Sequence, residues 1–140
     1  NNKLILVDPP YIPYYESISE KGVDFNNIII IKPNRSVKKR RNIVDDLFKQ
    51  GLNLDDCNVA IMWTDKLSFQ KSRQLNLIAQ ANNTLGIIIR IDTYLTHTTI
   101  ASILKIKIEL VSKNIKQQKL ELEILKSRIG FEKKHHMVML

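Results

Sequence analysis

Two groups of side chains in this sequence could do chemistry by their type and spacing. The first is a run of cations, Lys38, Lys39, Arg40 and Arg41, with Arg35 and Lys49 nearby and only Asp45 and Asp46 to offset them. Such a run meets phosphate oxygens or an acidic partner through its long-range field and counterion release. No aromatic residue is interleaved with it, so base stacking of the kind single-strand binders use has no support there. Four successive charges wrap more than one helical turn, which brings Arg40 against the apolar stripe with its aliphatic stem lying on it. The second group is Pro9, Pro10, Tyr11, Pro13, Tyr14 and Tyr15. Proline fixes φ, so tyrosines on such a segment are presented to a partner at reduced entropic cost. Pro10, Tyr11, Tyr14, Tyr15, Lys38, Lys39, Arg40 and Arg41 are therefore the candidate partner-binding residues.

The remaining reactive side chains point away from catalysis. Of the histidines His97, His135 and His136, two stand at the chain end, and the only carboxylate close to His97 is Asp92. A hydrolytic triad needs nucleophile, base and orienting group to converge, and no such grouping can be read here. Asp45 and Asp46 fall on a helix rich in Lys and Arg, so ion pairs of Asp45 with Arg41 and Lys49 at i,i+4 are expected before a metal. Asp55 and Asp56 precede a strand, where aspartate is ordinary turn composition. A lone cysteine, Cys57, supports neither an internal disulfide nor a cysteine-based zinc site, and suits a reducing cytoplasm. The four glycines, Gly22, Gly51, Gly86 and Gly130, lie far apart, so no glycine-rich phosphate loop can be written. No catalytic, cofactor or metal residue is expected.

The elements that must position these groups follow from periodicity. A chain of 140 residues, 44% apolar and 26% charged, suits one globular domain. It has no apolar run near the roughly 18 residues of a membrane span and no charged-then-apolar leader. Lys3–Asp8 reads as a buried strand closed by Pro9 and Pro10. Tyr14 to about Lys21 reads as a short helix stopped by Gly22. Asn27–Ile31 follows as a strand covered on both faces and closed by Pro33. Ser36 caps a second helix that runs to Gln50 and stops at Gly51. On it Val44, Leu47 and Phe48 face inward, and Arg41, Asp45 and Lys49 outward. Val59–Trp63 is a third strand, Ser68–Asn82 a third helix burying Leu75, Leu77, Ile78 and Ala81, and Thr84–Ile91 a fourth strand. Strand and helix in alternation imply parallel pairing with right-handed crossovers, hence a three-layer α/β domain.

The ending changes period. Leu104, Ile106, Ile108 and Leu110 alternate with Lys105, Lys107 and Glu109, and Leu120, Leu122 and Ile124 alternate with Lys119, Glu121 and Glu123. Two such strands around residues 112–118 make an antiparallel hairpin with one wet face, in which Lys105 and Lys107 would oppose Glu123 and Glu121. The net charge is +8, and five of those charges lie beyond residue 104, where nine basic residues stand against four acidic ones. A solvated hairpin face absorbs much of that excess. Residues 131–140 read as a flexible tail, and His135-His136 as part of it and no metal site. The domain organisation is thus one domain over 1–130 followed by that tail.

Two stretches resemble the core of the bacterial recombinase RecA. One is Leu6-Val7-Asp8 through Gly22-Val23-Asp24-Phe25-Asn26-Asn27 to Lys32-Pro33, and the other is Asn83-Thr84-Leu85-Gly86-Ile87-Ile88-Ile89. Leu122–Ile129 resembles the last sheet strands of that family. The resemblance implies a truncated RecA-like three-layer domain with a mostly parallel sheet and a C-terminal antiparallel hairpin. The departures are informative. Trp63 stands where a recombinase strand would end in the Walker B aspartate, and Pro10 stands where the catalytic glutamate would follow. Neither an indole nor a pyrrolidine can hold a magnesium-bound water or take a proton from one. A RecA-like sheet without hydrolytic residues resembles the SulA and ImuA proteins of the SOS response. Asp8-Pro9-Pro10-Tyr11-Ile12-Pro13-Tyr14 followed by Gly22-Val23-Asp24 is similar to the ImuA opening. That resemblance implies a non-enzymatic DNA-damage adaptor without cofactor, working in translesion synthesis beside a recombinase or a polymerase-like protein. The alternative it implies is a SulA-type division inhibitor that binds FtsZ. In SulA an aromatic on the first helix matters for that contact; Ser17 stands at its place here, with Tyr14 and Tyr15 adjacent. A third alternative, read from charge alone, is a basic DNA-binding module using Lys38–Arg41 and the C-terminal lysines, with weak nucleic-acid contact and no membrane partner.

Overall fold

A computed structural model of the chain describes residues 3–34, 40–90, 101–114, 117–128 and 135–139. The chain divides into two compact units, Asn1–Ala101 and Ser102–Leu140.

The first unit is α/β. Its elements are β1 (Lys3–Val7), α1 (Tyr15–Ser19), a 3-10 turn at Phe25–Asn27, β2 (Ile28–Ile31), α2 (Arg40–Leu52), β3 (Cys57–Trp63), α3 (Phe69–Ala81) and β4 (Leu85–Ile89). The four strands form a wholly parallel sheet in the order β2-β1-β3-β4. The parallel pairing expected from strand–helix alternation is therefore present. Register lines up Ile29, Ile5, Ala60 and Gly86 across one row, and Ile31, Val7, Met62 and Ile88 across the next. Side chains alternate across a strand, so these rows share one face. On that face Val44, Phe48 and Leu52 of α2 and Leu75 of α3 join Ile5, Val7, Ala60 and Met62 in the buried core.

The other face is covered unevenly, in place of the cover on both faces that the sequence suggests. Leu6 is buried at its centre, but Leu85, Ile87 and Ile89 on the edge strand β4 are 58%, 36% and 37% exposed. Continuous apolar runs look alike whether a strand is buried on one face or two, which is why the pattern could not separate them.

Three helix details differ from expectation for identifiable reasons. Gly51 does not stop α2, which runs on to Leu52. A Cβ at Gly51 would lie 3.3 Å from Ile5 Cδ1, so the glycine lets helix and sheet approach closely. On α3, Leu75 is buried and Ile78 packs half-buried against the core, as expected. Leu77, however, is 57% exposed and Ala81 is also exposed, while Ser72 and Ala79 turn inward in their place. Asp45 is buried, not outward, and its carboxylate pairs with Lys71 of α3 rather than with Arg41 or Lys49. A contact between two helices has displaced the local i,i+4 pairs. The third helix begins where expected, and Ser68 caps it: Ser68 Oγ accepts from the Lys71 N–H at 3.2 Å.

Two polar contacts close the lower end of the sheet. Buried Thr84 donates its hydroxyl to the Cys57 carbonyl at 3.0 Å. Burial pushes the Cys57 thiol above its usual range, against a smaller opposing effect of its hydrogen bond to the Val59 carbonyl. Lys3 pairs with Asp56 at 3.1 Å, which gives the Asp55-Asp56 turn a structural use.

The second unit is an antiparallel sheet of β5 (Leu104–Asn114), β6 (Gln117–Ser127) and β7 (His135–Met139), in the order β5-β6-β7. The hairpin is present, with longer strands than the sequence suggests. His135–Met139, expected within a flexible tail, is a strand paired with β6. The charge pairing is also shifted. Lys107 opposes Glu123, while Lys105 opposes Lys126 and Glu109 opposes Glu121. This register sets Ile106, Ile108 and Leu110 opposite Ile124, Leu122 and Leu120. The expected one would have put Leu110 opposite Gln118. Matching apolar residues outweighs like-charge pairs worth a few tenths of a kcal/mol each. Lys107 Nζ donates along its own strand to Glu109 at 2.7 Å. That hydrogen bond, with the charges of Glu109, Glu123 and Glu121, holds the ammonium above the usual lysine range.

Candidate functional site

The described candidate residues of the first unit gather at the carboxyl ends of the parallel strands. β1 hands over there to Asp8, which adopts a left-handed backbone (φ 56°) before Pro9. For a residue with a Cβ this conformation costs about 1–2 kcal/mol, and aspartate tolerates it better than most. Two interactions hold Asp8 in place. Its N–H donates to the Ile31 carbonyl at 2.8 Å, and its half-buried carboxylate pairs with the Arg40 guanidinium. The turn sends Pro9 and Pro10 across the top of the sheet and carries the chain out to the tyrosines.

Those tyrosines are presented to solvent. Tyr11 is 82% exposed and Ile12 and Tyr14 are each 68% exposed, which is unusual for large apolar side chains standing together. Tyr15 is anchored differently: its ring meets Phe25 edge-on, with centroids 5.5 Å apart. The loop thus has a fixed base, made by Asp8, the prolines and the Tyr15–Phe25 contact, and a free apolar tip.

Arg40 and Arg41 do not form the free basic patch that the sequence suggests. Arg40 is committed to Asp8. Arg41 forks onto Asp65, with Nη2 at 2.7 Å from Oδ2 and Nε at 3.2 Å from Oδ1. Both acceptors come from other strand ends, more than twenty residues away, so no local spacing could have signalled them. Lys38 and Lys39 lie outside the described residues. What the sequence reading missed is a cleft of about 450 Å³, lined by Asp8, Pro9, Pro10, Lys32, Arg40, Arg41, Val44, Trp63, Thr64, Asp65 and Ile89. Pro10 is the candidate that the cleft shares with the tyrosine loop.

The Arg41–Asp65 pair has a definite electrostatic signature. Burial nudges the Asp65 carboxyl upward, but the hydrogen bond and charge of Arg41, with the N–H groups of Asp65 and Lys66, outweigh it. The carboxyl is held below its ordinary 3.8. A lowered folded-state value contributes stability above pH 3.8 that is lost as pH falls through the lower folded value. Both partners are more than half exposed. Asp65→Asn is therefore expected to cost less than about 1 kcal/mol at neutral pH. Urea unfolding at pH 7 and near pH 3 should show that difference shrinking at the acid end.

The same architecture occurs in a solved structure, that of SulA from Pseudomonas aeruginosa. It superposes with a TM-score of 0.52 at 21% identity, covering 65% of this chain and 72% of that one. The fold is SulA-like. No family model and no curated protein matches the chain. The SulA-like fold accounts for the parallel sheet and its helical cover. The exposed tyrosine loop and the ion-paired cleft are read from this chain's own residues. Among the described residues no helix is long and apolar enough to cross a membrane.

Proposed function

We propose that this protein acts by contact with another protein, without catalysis, as a SulA-type inhibitor of cell division. The observation that carries the reading is a SulA-like fold bearing a stiffened, solvent-exposed tyrosine loop at the end of its first strand. The side chains at the positions where a recombinase would hydrolyse ATP support the absence of catalysis. Pro10 replaces a carboxylate that would take a proton, and Trp63 one that would hold metal-bound water. Tyrosine and proline suit a protein interface, since large, stiff side chains lose little entropy on docking. Arg40 and Arg41, neutralised by Asp8 and Asp65, weigh against DNA as the main partner.

The resemblance of the sequence to SulA makes FtsZ the partner to test. Adding the purified protein to FtsZ and GTP is expected to lower polymer yield in light scattering, in proportion to the amount added. Unchanged polymerisation at a several-fold excess would rule this partner out. The Asp8-Pro9-Pro10-Tyr11-Ile12-Pro13-Tyr14 opening favours a second reading, an ImuA-type adaptor in translesion synthesis. Under that reading FtsZ is unaffected, and the protein co-purifies with a recombinase or translesion polymerase through the same tyrosines.

A further inference from the structure

We propose that the cleft at the strand ends binds a small planar organic anion, an aromatic ring carrying a single phosphate or carboxylate. It is distinct from the tyrosine tip and does not depend on the proposed partner. Its position is the one where an α/β sheet offers a crevice: the chain runs from β1 outward to β2, then crosses to β3 on the other side. Its volume, about 450 Å³, lies within the range of small-molecule sites.

The polar groups specify an anion. Three cations, Lys32, Arg40 and Arg41, face two carboxylates, Asp8 and Asp65, which leaves one positive charge over. Lys32 has no ion pair among the described residues. Arg40 Nε is buried and lacks a hydrogen-bond partner among them, although the far end of the same guanidinium holds Asp8. The Lys32 ammonium and the part-exposed Arg40 and Arg41 guanidinium groups are the cations that an anion in the cleft would meet. One surplus charge matches a single head group better than a polyphosphate. The walls specify the rest of the ligand. Pro9, Pro10, Val44, Trp63 and Ile89 offer flat apolar surface against which a ring can lie, with the Trp63 indole as its stacking partner.

Trp63 is the only tryptophan, so its fluorescence reports on the cleft directly. The full chain is titrated with phenyl phosphate, with phenol and with inorganic phosphate. Phenyl phosphate is expected to change the emission saturably and to bind roughly tenfold or more tightly than either fragment. Raising salt should weaken phenyl phosphate and leave phenol unaffected. Lys32→Gln, which breaks no ion pair among the described residues, should reduce phenyl phosphate binding to the level of phenol while the far-UV spectrum stays unchanged. Arg40→Gln is a second variant with the same expected loss. The proposal is overturned if phenyl phosphate gives no saturable change, if phenol binds equally well, or if Lys32→Gln binds like the wild type.

Discussion

Phe48→Ala is expected to lower the free energy of unfolding by about 3–5 kcal/mol, the largest single effect foreseen for this chain. The ring is 1% exposed and belongs to the buried cluster that joins α2 to β1 and β3. It also reaches the edge strand, since a Cβ added at Gly86 would lie 3.6 Å from Phe48 Cζ. Removing the ring withdraws apolar area from a close-packed site and leaves a void. Gly51, pressed against Ile5, fixes how closely the helix already lies on the sheet, so the void cannot collapse easily. Whole-domain stabilities are about 5–15 kcal/mol, so the loss is a large fraction of the total. Urea unfolding followed through Trp63 measures it. Leu77→Ala on α3, at a 57% exposed site, is the matched control and should move stability by no more than about 0.5 kcal/mol. Similar effects of the two substitutions would mean that the core has been assigned to the wrong helix faces.

The second large effect is functional. Under the proposed SulA-type reading, the pair Tyr11→Ser and Tyr14→Ser is expected to weaken FtsZ inhibition by roughly 1,000-fold, since interface tyrosines at hot spots contribute about 2 kcal/mol or more each. Both rings are mostly in solvent, so unfolding by urea should stay within about 0.5 kcal/mol of the wild type. Tyr15 is left intact in this pair because its ring packs on Phe25 and its loss would disturb the base of the loop. The loop is apolar at its tip, so under the same reading the affinity should change little between low and moderate salt. Arg41→Gln, which breaks the fork on Asp65, should leave inhibition nearly unchanged. A full loss with Arg41→Gln and none with the tyrosine pair would move the docking surface from the loop to the helix.

Much of the architecture was legible because its signals are local. Apolar runs closed by Pro9, Pro33 and Gly22 marked strand ends and a helix stop, Ser68 marked a helix start, and the switch to period two after residue 103 announced the antiparallel sheet. The tyrosine loop was legible for the same reason, its prolines and aromatics being adjacent in the chain. Cross-strand register was not, because Lys105 and Lys107 satisfy the same alternation in two pairings that differ by two residues. Strand β7 was missed because a short mixed segment at a chain end becomes a strand only when β6 offers it a free edge.

By itself, then, the sequence settled the alternation of elements, the parallel α/β class and the stiff aromatic loop, all consequences of backbone preference and side-chain period over a few residues. Only the tertiary structure decided the fate of the charges. Asp8, Asp45 and Asp65 each took a cation from a distant element, so that Arg40 and Arg41 are locked in ion pairs with a cleft beside them. Electrostatic partners are chosen by distance in space and by the water that packing excludes, and neither quantity is written in the spacing of residues along a chain.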